Sequence, residues 1–336
     1  MLYLEPDDFS DIPAFPEKHL DFVHAAAETV DLHGDWTVPA KAITTMRIKT
    51  GHYTLNVSIN TIHRADKLVT TLHGARGITK DAINFTRPML VRRNWEALFE
   101  SPILAISDPQ TESDWNVNVP RCAFYMGTVE NDLVPEINAL IDVFCAKLGI
   151  PVDNVLMYGS SAGGTSAILV GSRRTTKTGI VAVCPFLRTD RYHDGVVATA
   201  VRSSGATMAQ FEQMQQHAPW RFDALVALKE AHRQGHDIRL FVGQNVKDKS
   251  TVTRHFPAVW RRWNIDPEGG VSPGGRVMTA MYDSTEAGHG HEPAEYSGPL
   301  WQEALKFFGT PLRTSTRGGA MPEAAAVEVG QLCSAA

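Results

Sequence analysis

One ten-residue stretch constrains the fold more than any other. Residues 155–164, Val-Leu-Met-Tyr-Gly-Ser-Ser-Ala-Gly-Gly, pass from a short apolar strand through a Gly-rich turn into a helical segment running from about Ala162 to Val170. Within it Gly159, Ser161 and Gly163 are spaced as G-x-S-x-G, with a strand before the motif and a helix after it. A serine on so sharp a turn needs small residues two positions before and two after it, because a Cβ there would strike neighbouring backbone. Ser160 fails that requirement, since Tyr158 and Ala162 would occupy those positions. The helix that starts after Ser161 aims unpaired N–H groups and the positive end of its dipole at the serine, which favours negative charge developing on a carbonyl oxygen. Without that chemistry, the same residues read as an ordinary strand-to-helix turn whose serines cap the helix.

The rest of the chain supplies a setting for such a turn. Strands are expected at Ile43 to Lys49, Tyr53 to Ile59 and Lys67 to Leu72, followed by alternating strands and helices. The alternating part comprises a strand Ile103 to Ser107, a helix Leu133 to Leu148 ended by Gly149 and Pro151, and strands Asn154 to Tyr158, Gly179 to Cys184, Asp237 to Val242 and Arg276 to Tyr282. A helix Ser250 to Trp263 and a last helix Pro299 to Phe308 complete it. Such alternation predicts an α/β fold with a mostly parallel sheet covered by helices on both faces. It divides the chain into a β-rich N-terminal segment (residues 1–66, its first forty residues loop-like), a catalytic domain (67–310) and a poorly ordered tail (311–336). Residues 186–221 lack clear strand character and are expected to form a cap over the site.

A serine hydroxyl is a weak nucleophile at neutral pH, so a histidine has to take its proton and an acid has to hold that histidine in the right tautomer. On sheets bearing this turn, the order along the chain is serine, acid, histidine. Asp248 lies just past the strand at 237–242 and is the expected acid; Asp190, Asp194 and Asp283 are the other candidates, and Asp248 also reads as a helix N-cap. His289, between Gly288 and Gly290 after the last strand, is the expected base, with His291 the alternative. The stretch Leu72-His-Gly-Ala-Arg-Gly after an upstream strand places Ala75 as one donor to an oxyanion, with Ala162 as the other; the competing reading is a simple Gly turn.

With those residues in hand, the chain resembles the α/β-hydrolase superfamily from about Lys67 to Phe308. More narrowly, it is similar to bacterial members linked to cell-surface polysaccharide and glycoprotein assembly, including the acyltransferase-like component of accessory secretion systems. The resemblance rests on Arg87-Pro88, Arg93-Asn94-Trp95, Ser107-Asp108-Pro109, Tyr125-Met-Gly-Thr128, the turn at Gly159 to Gly164, Gln244-Asn-Val-Lys-Asp248 and Gly288-His289-Gly290. It implies a triad of Ser161, Asp248 and His289. Cys184-Pro185-Phe186 replaces an Asn-Pro-Gln turn, and Lys249-Ser250-Thr251 stands where a His-Tyr pair follows the acid in such relatives. The reaction implied is cleavage of a small O-acyl ester, on a carbohydrate or other small molecule, through an acyl-serine intermediate. An acyltransferase, a peptidase, a lactonase and a catalytically silent binding protein on the same fold are the other readings.

Composition narrows the partners. The 336 residues carry a net charge of −5 at neutral pH, which leaves no basic footprint for a phosphate backbone, so nucleic acid is not an expected partner. The acidic start and the lack of a long apolar run predict no membrane span and a cytoplasmic protein. His289, His291 and Glu292 could be read as metal ligands, but no further ligand cluster accompanies them, so neither a metal nor another cofactor is expected. The four cysteines read as free core thiols. Arg76, Arg87, Arg188 and Arg191 read as surface ion pairs or as an anionic-substrate lining, and Trp95, Trp115, Trp220 and Trp260 as core or sugar-stacking residues.

Overall fold

The computed structural model describes residues 2–5, 28–75, 88–112, 122–187, 198, 201, 204–285, 289 and 294–309. Its backbone is organised by a ten-stranded sheet. In chain order the strands are β1 (Thr29–Asp31), β2 (Ile43–Lys49), β3 (Thr54–Asn60), β4 (Leu68–Leu72), β5 (Ile103–Ile106), β6 (Val155–Ser160), β7 (Thr178–Val183), β8 (Ile238–Asn245), β9 (Gly270–Val271) and β10 (Val277–Tyr282). Across the sheet they lie in the order β1-β2-β3-β5-β4-β6-β7-β8-β10-β9. From β5 through β4, β6, β7 and β8 to β10 all neighbours are parallel; β2 and β3 form an antiparallel hairpin, and β9 closes the far edge antiparallel. β1 adds a parallel strand beside β2, so the expected loop-like start contains one short strand among its described residues.

The central strands are apolar on both faces, as parallel strands between two helical layers must be. Alternate residues of one strand go to opposite cores: Val155 and Met157 pack into one, Leu156 and Tyr158 into the other. The first core also takes Ile137, Leu140, Ile141 and Phe144 of α2 (Val134–Leu148), whose spacing puts them on one helical stripe. Burying each such side chain contributes about 1.5–3 kcal/mol. α2 stops where Gly149 turns left-handed at φ 69° and donates its N–H back to Ala146 and Cys145 carbonyls. α3 (Ala162–Gly171) is buried along its whole length behind β6. Phe99 of α1 (Glu96–Phe99) packs with Trp301 of the C-terminal helix in the second core, the ring centroids 4.6 Å apart. Between these lie α4 (Met208–His217), opened by a Thr207–Gln210 capping box, and α5 (Ala224–Arg233), capped by Asp223.

Two expected helices differ. The single helix over Ser250 to Trp263 is instead α6 (Lys249–Arg254) followed by α7 (Phe256–Trp263), broken at His255. Pro257 has no N–H to continue the ladder and disfavours helical backbone in the residue before it. At the break, buried His255 accepts the Leu187 N–H through Nδ1 at 3.3 Å. The last helix, α8 (Ala294–Phe307), starts before Pro299 and contains that proline. Its first turn is held from outside, because the Tyr296 hydroxyl donates to the Asp283 carbonyl at 2.8 Å and its ring packs on Tyr282. The remaining expected elements lie within two residues of their bounds, except that β8 runs three residues further, to Asn245. Within the expected cap, residues 188–197, 199–200 and 202–203 lie outside the described residues, as does the tail after Gly309. No described helix is long and apolar enough to cross a membrane.

Candidate active site

The C-terminal ends of β4, β6, β8 and β10 converge, and each expected site residue lies just past one of them. β6 ends at Ser160, and Ser161 takes φ 54°, ψ −125°, a conformation that costs a non-glycine residue about 1–3 kcal/mol. Packing forces this geometry. A Cβ on Gly159 would lie 2.2 Å from the Gly163 carbonyl oxygen, and one on Gly163 would lie 2.4 Å from the Leu72 carbonyl oxygen, so only glycine lets β4, β6 and α3 close together. The Ser161 N–H donates to the Val183 carbonyl at 2.8 Å, and its own carbonyl accepts from Thr165. With that N–H engaged, Ala162, the first residue of α3, supplies the next backbone donor, and the first N–H groups of a helix have no partner inside it.

Ser161, His289 and Asp248 form one hydrogen-bonded chain. Ser161 Oγ is 2.9 Å from His289 Nε2, and His289 Nδ1 is 2.5 Å from Asp248 Oδ2. A carboxylate only accepts, so Nδ1 carries the proton and Nε2 accepts from the serine hydroxyl. The other carboxylate oxygen, Oδ1, accepts the Thr251 N–H at 3.1 Å and caps α6. One oxygen of Asp248 therefore caps α6 while the other faces the His289 imidazole. Burial pushes the Asp248 carboxyl up, but hydrogen bonds from His289 and Thr251 outweigh it and hold the group below its ordinary value. Phe186, at the end of the Cys184-Pro185-Phe186 turn, lies against the imidazole with ring centroids 4.7 Å apart. That turn is made possible by Cys184 at φ 46°, whose N–H is held by the Gly243 carbonyl.

The other candidates separate from this chain. Asp283 pairs with Lys247 at 3.1 Å, and Ser160 Oγ accepts from the buried Arg92 guanidinium at 2.9 Å. Arg92, next to the Arg93-Asn94-Trp95 stretch, lies over the rings of Trp95 and Tyr158. Trp95 is buried core and Trp220 is exposed. Asp190, Asp194, His291, Glu292, Arg76, Arg87, Arg188, Arg191 and Trp115 lie outside the described residues. Ala75 is exposed, one residue beyond Gly74, where a Cβ would stand 3.8 Å from Ser161 Cβ. Thr251 was not singled out beforehand; its hydroxyl is 3.2 Å from His289 Nδ1. Cys122, Cys145 and Cys184 are buried free thiols. Burial pushes Cys145 up to about 11, so it stays protonated at neutral pH.

A small cavity of about 80 Å³ sits at the opposite end of the sheet, lined by the first residues of β6 and β7 together with Asp66, Lys67, Lys177 and Arg239. It is separated from Ser161 by the length of the strands. In parallel sheets ligands gather at the carboxyl ends of strands, where Ser161, Asp248 and His289 are.

No protein-family model matches the chain, and no curated protein matches it in sequence. Solved structures do match its fold. Dipeptidyl peptidase 4 of Porphyromonas gingivalis superposes with a TM-score of 0.52 at 13% identity, over 81% of this chain and 36% of that one. The capsule O-acetyltransferase of Neisseria meningitidis serogroup A superposes with a TM-score of 0.51 at 13% identity, over 80% of this chain and 93% of that one. The chain thus spans about a third of the peptidase's length and nearly all of the acetyltransferase's. Identities this low speak to fold alone, and together with the strand order and the turn at Ser161 they establish that this chain has the α/β-hydrolase fold.

Proposed function

We propose that the protein is a serine esterase that cleaves a small O-acyl ester through an acyl-serine intermediate. The observation that carries this reading is the Ser161–His289–Asp248 hydrogen-bonded chain on a strained strand-to-helix turn. Ser161 Oγ attacks the ester carbonyl carbon while His289 Nε2 takes the hydroxyl proton, and the carbonyl π electrons move onto oxygen. The N–H groups of Ala75 and Ala162 stabilise that oxyanion. Collapse of the tetrahedral intermediate breaks the bond to the alkoxy oxygen, which receives the proton from His289 and leaves as the alcohol. Water then attacks the acyl-serine, giving a proton to His289; the second collapse returns that proton to Ser161 and releases the acid. Asp248 stays ionised throughout and stabilises the imidazolium.

A second reading keeps the same residues and replaces water with an alcohol of a sugar, making the protein an acyltransferase. Its support is the match to a capsule O-acetyltransferase over most of that protein's length. Treating the native protein with a fluorophosphonate and mapping the modified peptide tests the shared chemistry. The expected result is labelling of Ser161 that is lost in heat-denatured protein. Unlabelled native protein, or a label on another serine, would refute it. Release of acid from p-nitrophenyl acetate that is diverted to an acetylated sugar when one is added would select the second reading.

A further inference from the structure

The loop after β4 contains a second imidazole with no proton to exchange with substrate. His73 is buried, and both ring nitrogens are engaged. The Asp108 backbone N–H points at Nε2 across 3.0 Å, and a backbone N–H can only donate. Nε2 therefore accepts and Nδ1 carries the proton, which it donates to the Gly74 carbonyl at 2.7 Å. The Gly74 carbonyl and the Ala75 N–H belong to one planar trans peptide and point in opposite directions. Fixing the carbonyl against His73 thus fixes where the Ala75 N–H aims. Gly74 has no Cβ to bias that peptide, so without the imidazole the plane can rotate.

The support for His73 is itself built in. The Tyr125 hydroxyl accepts the His73 N–H at 3.0 Å and donates to the Ile106 carbonyl at 2.6 Å. The Asp108 carboxylate accepts the Tyr125 and Gln110 N–H groups, holding the Asp108 peptide that sets the tautomer of His73. Phe124 and Tyr125 take positive φ to reach this arrangement. The N–H expected to stabilise the oxyanion therefore depends on segments 106–110 and 124–125, far from it in sequence.

We infer that His73 is a positioning residue: through Nδ1–H it locks the Gly74–Ala75 peptide so that the Ala75 N–H is preset for the oxyanion formed at Ser161. This rests on the esterase reading above. The two ring nitrogens can be replaced separately. In His73→Asn the side-chain amide puts a donor where Nδ1 was; in His73→Gln an oxygen can reach the Asp108 N–H, but no donor stands at the Nδ1 position. Loss of one oxyanion donor costs about 10²–10³ in kcat. Hydrolysis of p-nitrophenyl acetate should show His73→Gln and His73→Leu with kcat down about a hundredfold and KM within about twofold, and His73→Asn recovering to within about tenfold of the wild type. Affinity for an aryl trifluoromethyl ketone, whose hemiketal places an oxyanion at the same spot, should fall in parallel with kcat/KM.

Equal losses in the Asn and Gln variants, or losses that follow their melting temperatures, would overturn the inference. If His73→Leu does not fold, the Asn and Gln pair still decides. A wild-type protein that hydrolyses esters and labels at Ser161 while the His73 variants behave normally would sink this inference alone. A wild type that does neither would sink the esterase reading and this inference with it.

Discussion

Two carboxylates in this molecule close turns in nearly the same way, and only one keeps an oxygen clear of the turn. Glu136, on α2, reaches the turn between β2 and β3 and accepts the Gly51 and His52 N–H groups at 3.0 and 2.9 Å, a longer contact from Tyr53, and the Thr50 hydroxyl. His52 Nδ1 adds a fifth contact at 2.9 Å. Asp248 accepts the Thr251 N–H in the same fashion but spends only Oδ1 on it, leaving Oδ2 to His289. Both oxygens of Glu136 are thus committed to the residues of one hairpin, whereas Asp248 is half cap and half partner to His289, 41 residues away and hydrogen-bonded to Ser161. A carboxylate's role is read from what its second oxygen faces, not from its burial or its bond to backbone.

Replacing each acid by its amide tests that distinction most directly. Asp248→Asn keeps an oxygen able to cap α6 but can no longer accept from Nδ1–H if the amide nitrogen faces the ring, so the imidazole is left in the wrong tautomer. Loss of kcat by about 10⁴-fold is expected in ester hydrolysis at pH 8, with a melting temperature close to wild type, since Asn caps helices about as well as Asp. A loss below tenfold would reduce Asp248 to a cap.

Glu136→Gln should do the reverse, leaving kcat within about twofold and lowering stability by about 1 kcal/mol, or about 2–4 °C in melting temperature. Burial pushes the Glu136 carboxyl up, but bonds from Thr50, His52 and Gly51 outweigh it and hold the group below its ordinary value. Its contribution is therefore complete above the unfolded carboxylate value, about 4.3, and is lost as pH falls through the lower folded value. Melting temperatures of the two proteins should differ by a constant amount from pH 8 to about 5.5 and converge as pH falls through the lowered folded value of Glu136. A gap that persists in acid would mean that the side chain's shape, not its charge, closes the hairpin.

How legible each of these was depends on how local its cause is. The turn at Ser161 could be read in advance because Gly159 and Gly163 are required by contacts that any strand-to-helix elbow imposes. The central strands were readable for a similar reason, as apolar runs too short for helices. The break at His255 was signalled by Pro257 and still missed, because the apolar pattern of Phe256, Val259 and Trp260 continues the helical stripe across it. The choice of Asp248 over Asp283 turns on which loop closes on His289, a distance no spacing reports. His73 was visible only as half of a His-Gly turn, since its partner at Asp108 lies 35 residues away and contributes a backbone N–H that leaves no mark in the sequence.

The finest test of the comparison concerns the hydroxyls. Thr50 bonds the carboxylate that holds the hairpin, and Thr251 stands beside the one that faces His289, 3.2 Å from His289 Nδ1. Thr251→Val removes that hydroxyl while preserving shape and the backbone N–H that Asp248 caps. A single such bond is worth about 0.5–1.5 kcal/mol, so kcat/KM should fall about 2- to 12-fold at pH 8. Asp248 would be held less far below its ordinary value, because one of the bonds lowering it is gone. Thr251→Ser should restore the rate, since it returns the hydroxyl without the methyl. A Val variant whose kcat/KM stays within about twofold of the wild type would place Thr251 with Thr50 as a group that only shapes a turn.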